Sequence, residues 1–225
     1  MARPPVLKRG EKIPAYPPWR PGWFSSFTHA WAGLIHTVLH QRNMKVHMLS
    51  ATLVSLVGSG IPLGLAEKVT LIFCVLFMFF AEILNSALEA LVDLHTKEYD
   101  EHARIAKDAA AAGVLVLALG TVVIFSALLF HNLEIIRAQV PAIIRQVALG
   151  LPLTFCVAVL MRRKMRPLWQ DTVFFAIGMG FWAAILPRTA SSVFSAMTMG
   201  LLIVSVSAAL QRRKEAAEKT KPGTS

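Results

Sequence analysis

Charge is scarce in this chain. Only 16% of its residues are charged, while 55% are hydrophobic. The apolar residues come in long blocks, which excludes an ordinary water-soluble domain and marks an integral membrane composition. Cysteine is almost lacking: Cys74 and Cys156 both sit inside apolar runs, which argues against a disulfide framework or a thiolate zinc site. No Gly-x-x-x-x-Gly-Lys-Ser/Thr stretch occurs, so there is no P-loop to cradle a nucleotide. Acidic residues are few, 13 against 23 Lys and Arg, so the position of each acid is informative. The polar, proline-rich start reads without a cleavable signal peptide.

A bilayer-crossing helix takes roughly 20 mostly apolar residues. Five or six such runs are expected, near 47–66, 69–94, 109–131, 145–161, 171–187 and 190–210, the fourth and fifth being short. The net charge of +10 could point to nucleic acid, but its distribution favours a membrane face. Lys and Arg gather in the N-terminal segment, the 97–107 loop, Arg162 to Arg166, and the tail from Arg212 to Lys221. With six spans these segments share one side, so both termini are predicted to be cytoplasmic. Nucleic acid is not expected as a partner.

Residues 1–22 carry Pro4, Pro5, Pro14, Pro17, Pro18 and Pro21 and read as a flexible leader. Residues 23–42 mix aromatics, histidines and aliphatics and read as an amphipathic helix in the membrane interface. Together with three spans they form a domain over 23–131. A hydrophilic loop over 95–106 precedes the third span, which Lys107 and Asp108 open, Asp108 being the expected N-cap. Ala109 to Gly113 are small and let a ligand or helix approach closely. Residues 132–145 read as a connection, 132–210 as a C-terminal transmembrane extension, and 211–225 as a basic cytoplasmic tail. The basic cluster Arg162 to Arg166 reads as a topology determinant.

The richest signal is a polar stripe. Glu82, Asn85, Glu89 and Asp93 recur at intervals of three, four and four, which puts them on one helix face. Ionisable groups in a membrane segment are expensive and functional by default. The two glutamates can supply oxygens for Mg2+ or take a proton, and Asn85 can orient either. Lys107 can neutralise phosphate, while Glu98, Tyr99 and Asp100 can hold a polar ligand at the water boundary. This set fits phosphoryl transfer at the membrane surface. The bland alternative is that these groups only satisfy one another between helices.

The run Glu82 to Asp93, then Glu98-Tyr99, then Ala106 to Val116, closely resembles the small prokaryotic membrane kinases, the diacylglycerol kinase and undecaprenol kinase family. The resemblance covers about residues 24–131. Arg42 to His47 and Val92-Asp-Leu look more like the undecaprenol kinase branch. The resemblance implies an all-α membrane protein of the bacterial inner membrane, with an interfacial helix and a three-span kinase bundle. Here about three further C-terminal spans follow. It also implies a homotrimer, ATP with Mg2+ or another divalent cation, and a lipid alcohol, undecaprenol or diacylglycerol, as acceptor. Carried over by position, Glu82 is the general base with Asn85 beside it, and Glu89 is a metal ligand. Lys107, Asp108, Glu98, Tyr99, Asp100 and His29 fall to the nucleotide. Glu82, Ala111 and Asn43 fall to the lipid.

Two positions depart from the family. An acidic metal ligand on the interfacial helix is replaced by Gln41, a weaker and uncharged donor, and a basic residue before the helix glycine is replaced by Ala32. His29, His36 and His40 share a face, and imidazole suits zinc or nickel. With no fourth ligand evident, polar tips at the headgroups are the favoured reading. The departures motivate an alternative, a catalytically weakened kinase scaffold that binds lipid or nucleotide. A small transporter is a third reading.

Overall fold

The computed structural model describes residues 22–96 and 99–220, with the side chains of 218–220 excepted. The proline-rich stretch over 1–21 and Glu98 lie outside the described residues. The described residues form seven α-helices: α1 (Trp23–His40), α2 (Arg42–Ser59), α3 (Leu65–His95), α4 (Glu101–His131), α5 (Leu133–Leu160), α6 (Leu168–Ile185) and α7 (Ser192–Thr220). The protein is an all-α membrane protein, as the apolar blocks require.

The chain divides after Gly33 into two units. In the first, the start of α1 exposes Trp23, Phe24 and Phe27, and the Phe27 and Trp31 rings stack 6.3 Å apart. Exposed aromatics of this kind fit the headgroup layer. In the second unit, the end of α1 buries Ile35, Thr37, Val38 and Leu39. Partial desolvation, then the neighbouring His40 and Arg163, hold the His36 imidazole below its usual range, with Glu215 opposing.

Among the described residues, five helices are long and apolar enough to cross a membrane: α3, α4, α5, α6 with its 3-10 extension, and α7. The expected first span is not among them. Its residues 47–59 lie in α2, which is 18 residues long, about 27 Å at 1.5 Å per residue, and the rest form the turn before α3 and its first residues. The shortfall is in apolarity, because α2 carries Lys45, His47 and three buried hydroxyls. Those hydroxyls return to the backbone: Thr52 donates to the Met48 carbonyl at 2.8 Å, Ser55 to Ala51 at 2.7 Å and Ser59 to Leu56 at 2.7 Å. Their hydrogen bonding is satisfied within the helix itself. α2 packs mainly against α5 and α7, so much of its surface meets protein rather than lipid.

Three boundaries differ from expectation. Asp100 caps α4 by accepting the Ala103 amide at 2.8 Å. Asp108 instead lies inside α4, bonded to Arg104 at 3.0 Å, so the amides after it are already used by the helix. The 132–145 connection is helical, and α5 runs unbroken through Pro141 and Pro152. Membrane helices tolerate proline when neighbours satisfy the freed carbonyls. α7 continues past 210 into the expected tail.

Packing sorts the second unit into two groups. α3 pairs with α4, while α2, α5, α6 and α7 pack on one another. Gly150 lets α5 press against the methyls of Leu56, and a Cβ at Gly58 would come within 2.8 Å of the buried Phe194 ring. Ile61, Leu63, Leu71 and Phe194 form a core cluster. At one end of this bundle, Thr189 Oγ1 donates to the Ser59 carbonyl at 3.1 Å and the Ala190 amide to the same oxygen at 2.6 Å. Elsewhere in it, buried Asp171 binds Arg212 at 2.7 Å and Arg213 at 2.9 Å, with Arg166 at 4.0 Å. The basic cluster expected to mark topology is therefore also structural: Arg166 donates to the Val159 carbonyl at 2.8 Å, and Arg212 to that of Arg162.

Candidate active site

Two cavities follow one another along the seam between α3 and α4. The deeper one, 320 Å³, is lined by Asn43 and His47 of α2, Glu82 and Asn85 of α3, and Ala111 and Ala118 of α4, among others. The other, 610 Å³, is lined by Asp93, Tyr99, Asp100, Arg104, Lys107 and Asp108, among others. Asn85 and Asp93 are eight positions apart, about 12 Å along a helix axis. Glu89 stands midway between them.

The stripe is graded by burial. Glu82 is 1% exposed and Asn85 6%, Glu89 is half-buried, and Asp93 is exposed. Glu82 Oε2 and Asn85 Oδ1 have no hydrogen-bond partner, although such buried acceptors normally find one. Asn85 Nδ2 donates to Glu89 Oε1 at 3.0 Å, which turns the amide oxygen away from Glu89. Two hard oxygen donors thus stand unsatisfied at the cavity, with a second carboxylate, Glu89, one turn along. That chemistry fits a divalent cation that prefers oxygen ligands.

At the outer cavity Lys107 is ion-paired with Asp93, and Arg104 reaches Asp108 at 3.0 Å and Glu101 at 3.9 Å. Asp93, Asp100 and Asp108 outnumber Arg104 and Lys107. A bare polyphosphate would be repelled there, and one that arrives with a divalent cation would not.

The seam brings together Glu82, Asn85, Ala111 and Asn43 at one cavity, and Lys107, Asp108, Tyr99 and Asp100 at the other. Glu89 joins through Asn85. Gln41 lines neither cavity. It is the non-helical residue between α1 and α2, with φ −90° and ψ 129°. His29 lies on α1 in the first unit. The sequence reading missed Arg104, which its spacing of three from Lys107 and four from Asp108 puts on their face. It also missed His47, one turn beyond Asn43.

The family model of prokaryotic diacylglycerol kinase matches residues 28–129. A diacylglycerol kinase of Synechocystis sp. is 35% identical over 133 residues, 57% of this chain and 76% of that relative. An undecaprenol kinase of Bacillus subtilis is 37% identical over 97 residues, 43% of this chain and 79% of that relative. A diacylglycerol kinase of Escherichia coli is 29% identical over 104 residues, 46% of this chain and 85% of that relative. No solved structure matches the chain significantly. The chain belongs to the prokaryotic diacylglycerol kinase family of membrane lipid kinases, and its residues beyond 129 extend past the family match.

Proposed function

We propose that the chain transfers the γ-phosphoryl group of ATP to the hydroxyl of a membrane lipid alcohol, undecaprenol or diacylglycerol, with Glu82 as general base. The observation that carries this reading is the buried Glu82 carboxylate, with one oxygen unpartnered, on a cavity that reaches Ala111 and Asn43. The lipid hydroxyl gives its proton to Glu82, its oxygen attacks the γ-phosphorus, the bond to the β-phosphate oxygen breaks, and ADP leaves. Asn85 holds the hydroxyl and Glu89 in register. Lys107 exchanges Asp93 for phosphate oxygens, and Arg104 screens the same charge. Glu89 would hold a divalent cation, which would neutralise phosphate charge as it moves to the leaving group.

The reading extends to a homotrimer. α4 is long and apolar yet has no buried residue within one chain, which leaves its surface to lipid and to other copies. The family match over 28–129 ends just before α5 begins.

The test gives purified protein ATP, Mg2+ and each lipid alcohol in turn and follows labelled phosphate into lipid. Transfer to either acceptor that Glu82→Gln abolishes is the expected result. Equal turnover by the variant would overturn the role of Glu82, and no transfer to any lipid alcohol would overturn the function.

A further inference from the structure

We infer that His36, His40 and Glu215 form a binding site for one divalent transition-metal ion, zinc by its donor chemistry, that clamps the end of α7 to the end of α1. His36 and His40 are one turn apart on α1, their rings stacked 4.3 Å apart at an interplanar angle of 29°. Glu215 comes from α7, 175 positions further along the chain. His40 Nε2 lies 3.2 Å and 3.1 Å from its two carboxylate oxygens. One donor atom from each of the three residues lies within 4.8 Å of the others. Tetrahedral zinc with bonds of about 2.0–2.1 Å needs donors about 3.4 Å apart. Small side-chain rotations close that difference.

The donor set narrows the ion. Two imidazoles and one carboxylate, with a fourth position open to water, are a known zinc arrangement, and His at i and i+4 on a helix is its usual local geometry. Magnesium and calcium prefer oxygen ligands and are disfavoured here. The site is reachable from solvent, with the His40 and Glu215 side chains 25% and 26% exposed.

The site is separate from the α3/α4 seam, because none of the three residues lines either cavity there. Its consequence is mechanical. His40 directly precedes Gln41, the break between α1 and α2, so a bound ion would hold that corner to the C-terminal extension.

The full chain, purified without a polyhistidine tag and stripped with chelator, is titrated with Zn2+ alone by calorimetry and with Co2+ by visible absorption. A single tight equivalent, with cobalt bands of tetrahedral intensity, is expected. His36→Ala, His40→Ala and Glu215→Gln should each weaken it by about 100-fold or more. Zn2+ should also raise the melting temperature of the native chain and leave that of the triple variant unmoved, with helical content by circular dichroism confirming that the variant folds. No binding by the native chain would overturn the proposal, as would equal binding by the triple variant. Because no lipid or ATP is present, the result does not depend on whether the kinase reading holds.

Discussion

At the residue scale, Glu82 and Lys107 differ in what surrounds them, and the proposed reaction asks different things of them. Glu82 is buried with a spare oxygen on the inner cavity, while Lys107 is exposed enough to trade partners. Under that reaction Glu82→Gln should lower kcat by about 10²–10⁴-fold, the usual worth of a positioned base. Its KM for ATP should change little, as steady-state kinetics at saturating lipid would show. The pair Lys107 and Asp93 should behave in opposite ways. Lys107→Ala should raise the KM for ATP, whereas Asp93→Asn should lower it by releasing the lysine for phosphate. An unchanged KM in both variants would place the nucleotide elsewhere.

At the element scale, the C-terminal helices are tied together by one acid and several arginines. Removing one member of a buried ion pair leaves the other charged and unpaired, which costs about 3–5 kcal/mol. Asp171→Ala strands Arg212, itself 4% exposed, and should lower unfolding stability by about that much in a denaturant titration. Asp100→Ala acts only on the start of α4. Losing an N-cap costs about 1 kcal/mol, and amide exchange should quicken at Ala103 while the Asp171 region stays protected. α2 and α5 meet at Gly150, so Gly150→Val should part them and lower stability, although Gly150 itself lines neither α3/α4 cavity.

At the scale of the whole molecule, topology turns on α2. If α2 crosses, six spans place both ends of the chain on one side; if it does not, five spans place them on opposite sides. Its burial against α5 and α7 explains how a helix of low apolarity can cross. Cysteines placed at Ala2 and Ser225 should therefore react alike with a membrane-impermeant maleimide in intact cells. The native Cys74 and Cys156 are buried and should remain silent. The same packing makes residues beyond 131 part of the scaffold. A chain ended there would expose Met44, Met48 and Leu56, which are fully buried in the full chain, and should aggregate during purification.

Membrane class, helical architecture and the polar stripe of α3 were legible in the amino-acid order, because they follow from local rules, whereas Asn43 and Ala111 entered only through the family resemblance. Apolar run length marks a span, and a spacing of three and four puts Glu82, Asn85, Glu89 and Asp93 on one face whatever surrounds the helix. The N-cap of α4 was already less legible. Asp100 and Asp108 are both good caps by type, and Asp100 is the one whose carboxylate meets the Ala103 amide. Still less legible was everything that joins distant positions: α2 against α5 and α7, Asp171 with Arg212 41 positions away, and His40 with Glu215. Helix periodicity states which face a residue occupies but not which helix will meet it. That choice belongs to close packing, where Gly150 admits Leu56 and Gly58 admits Phe194, and to the cost of leaving a buried charge alone.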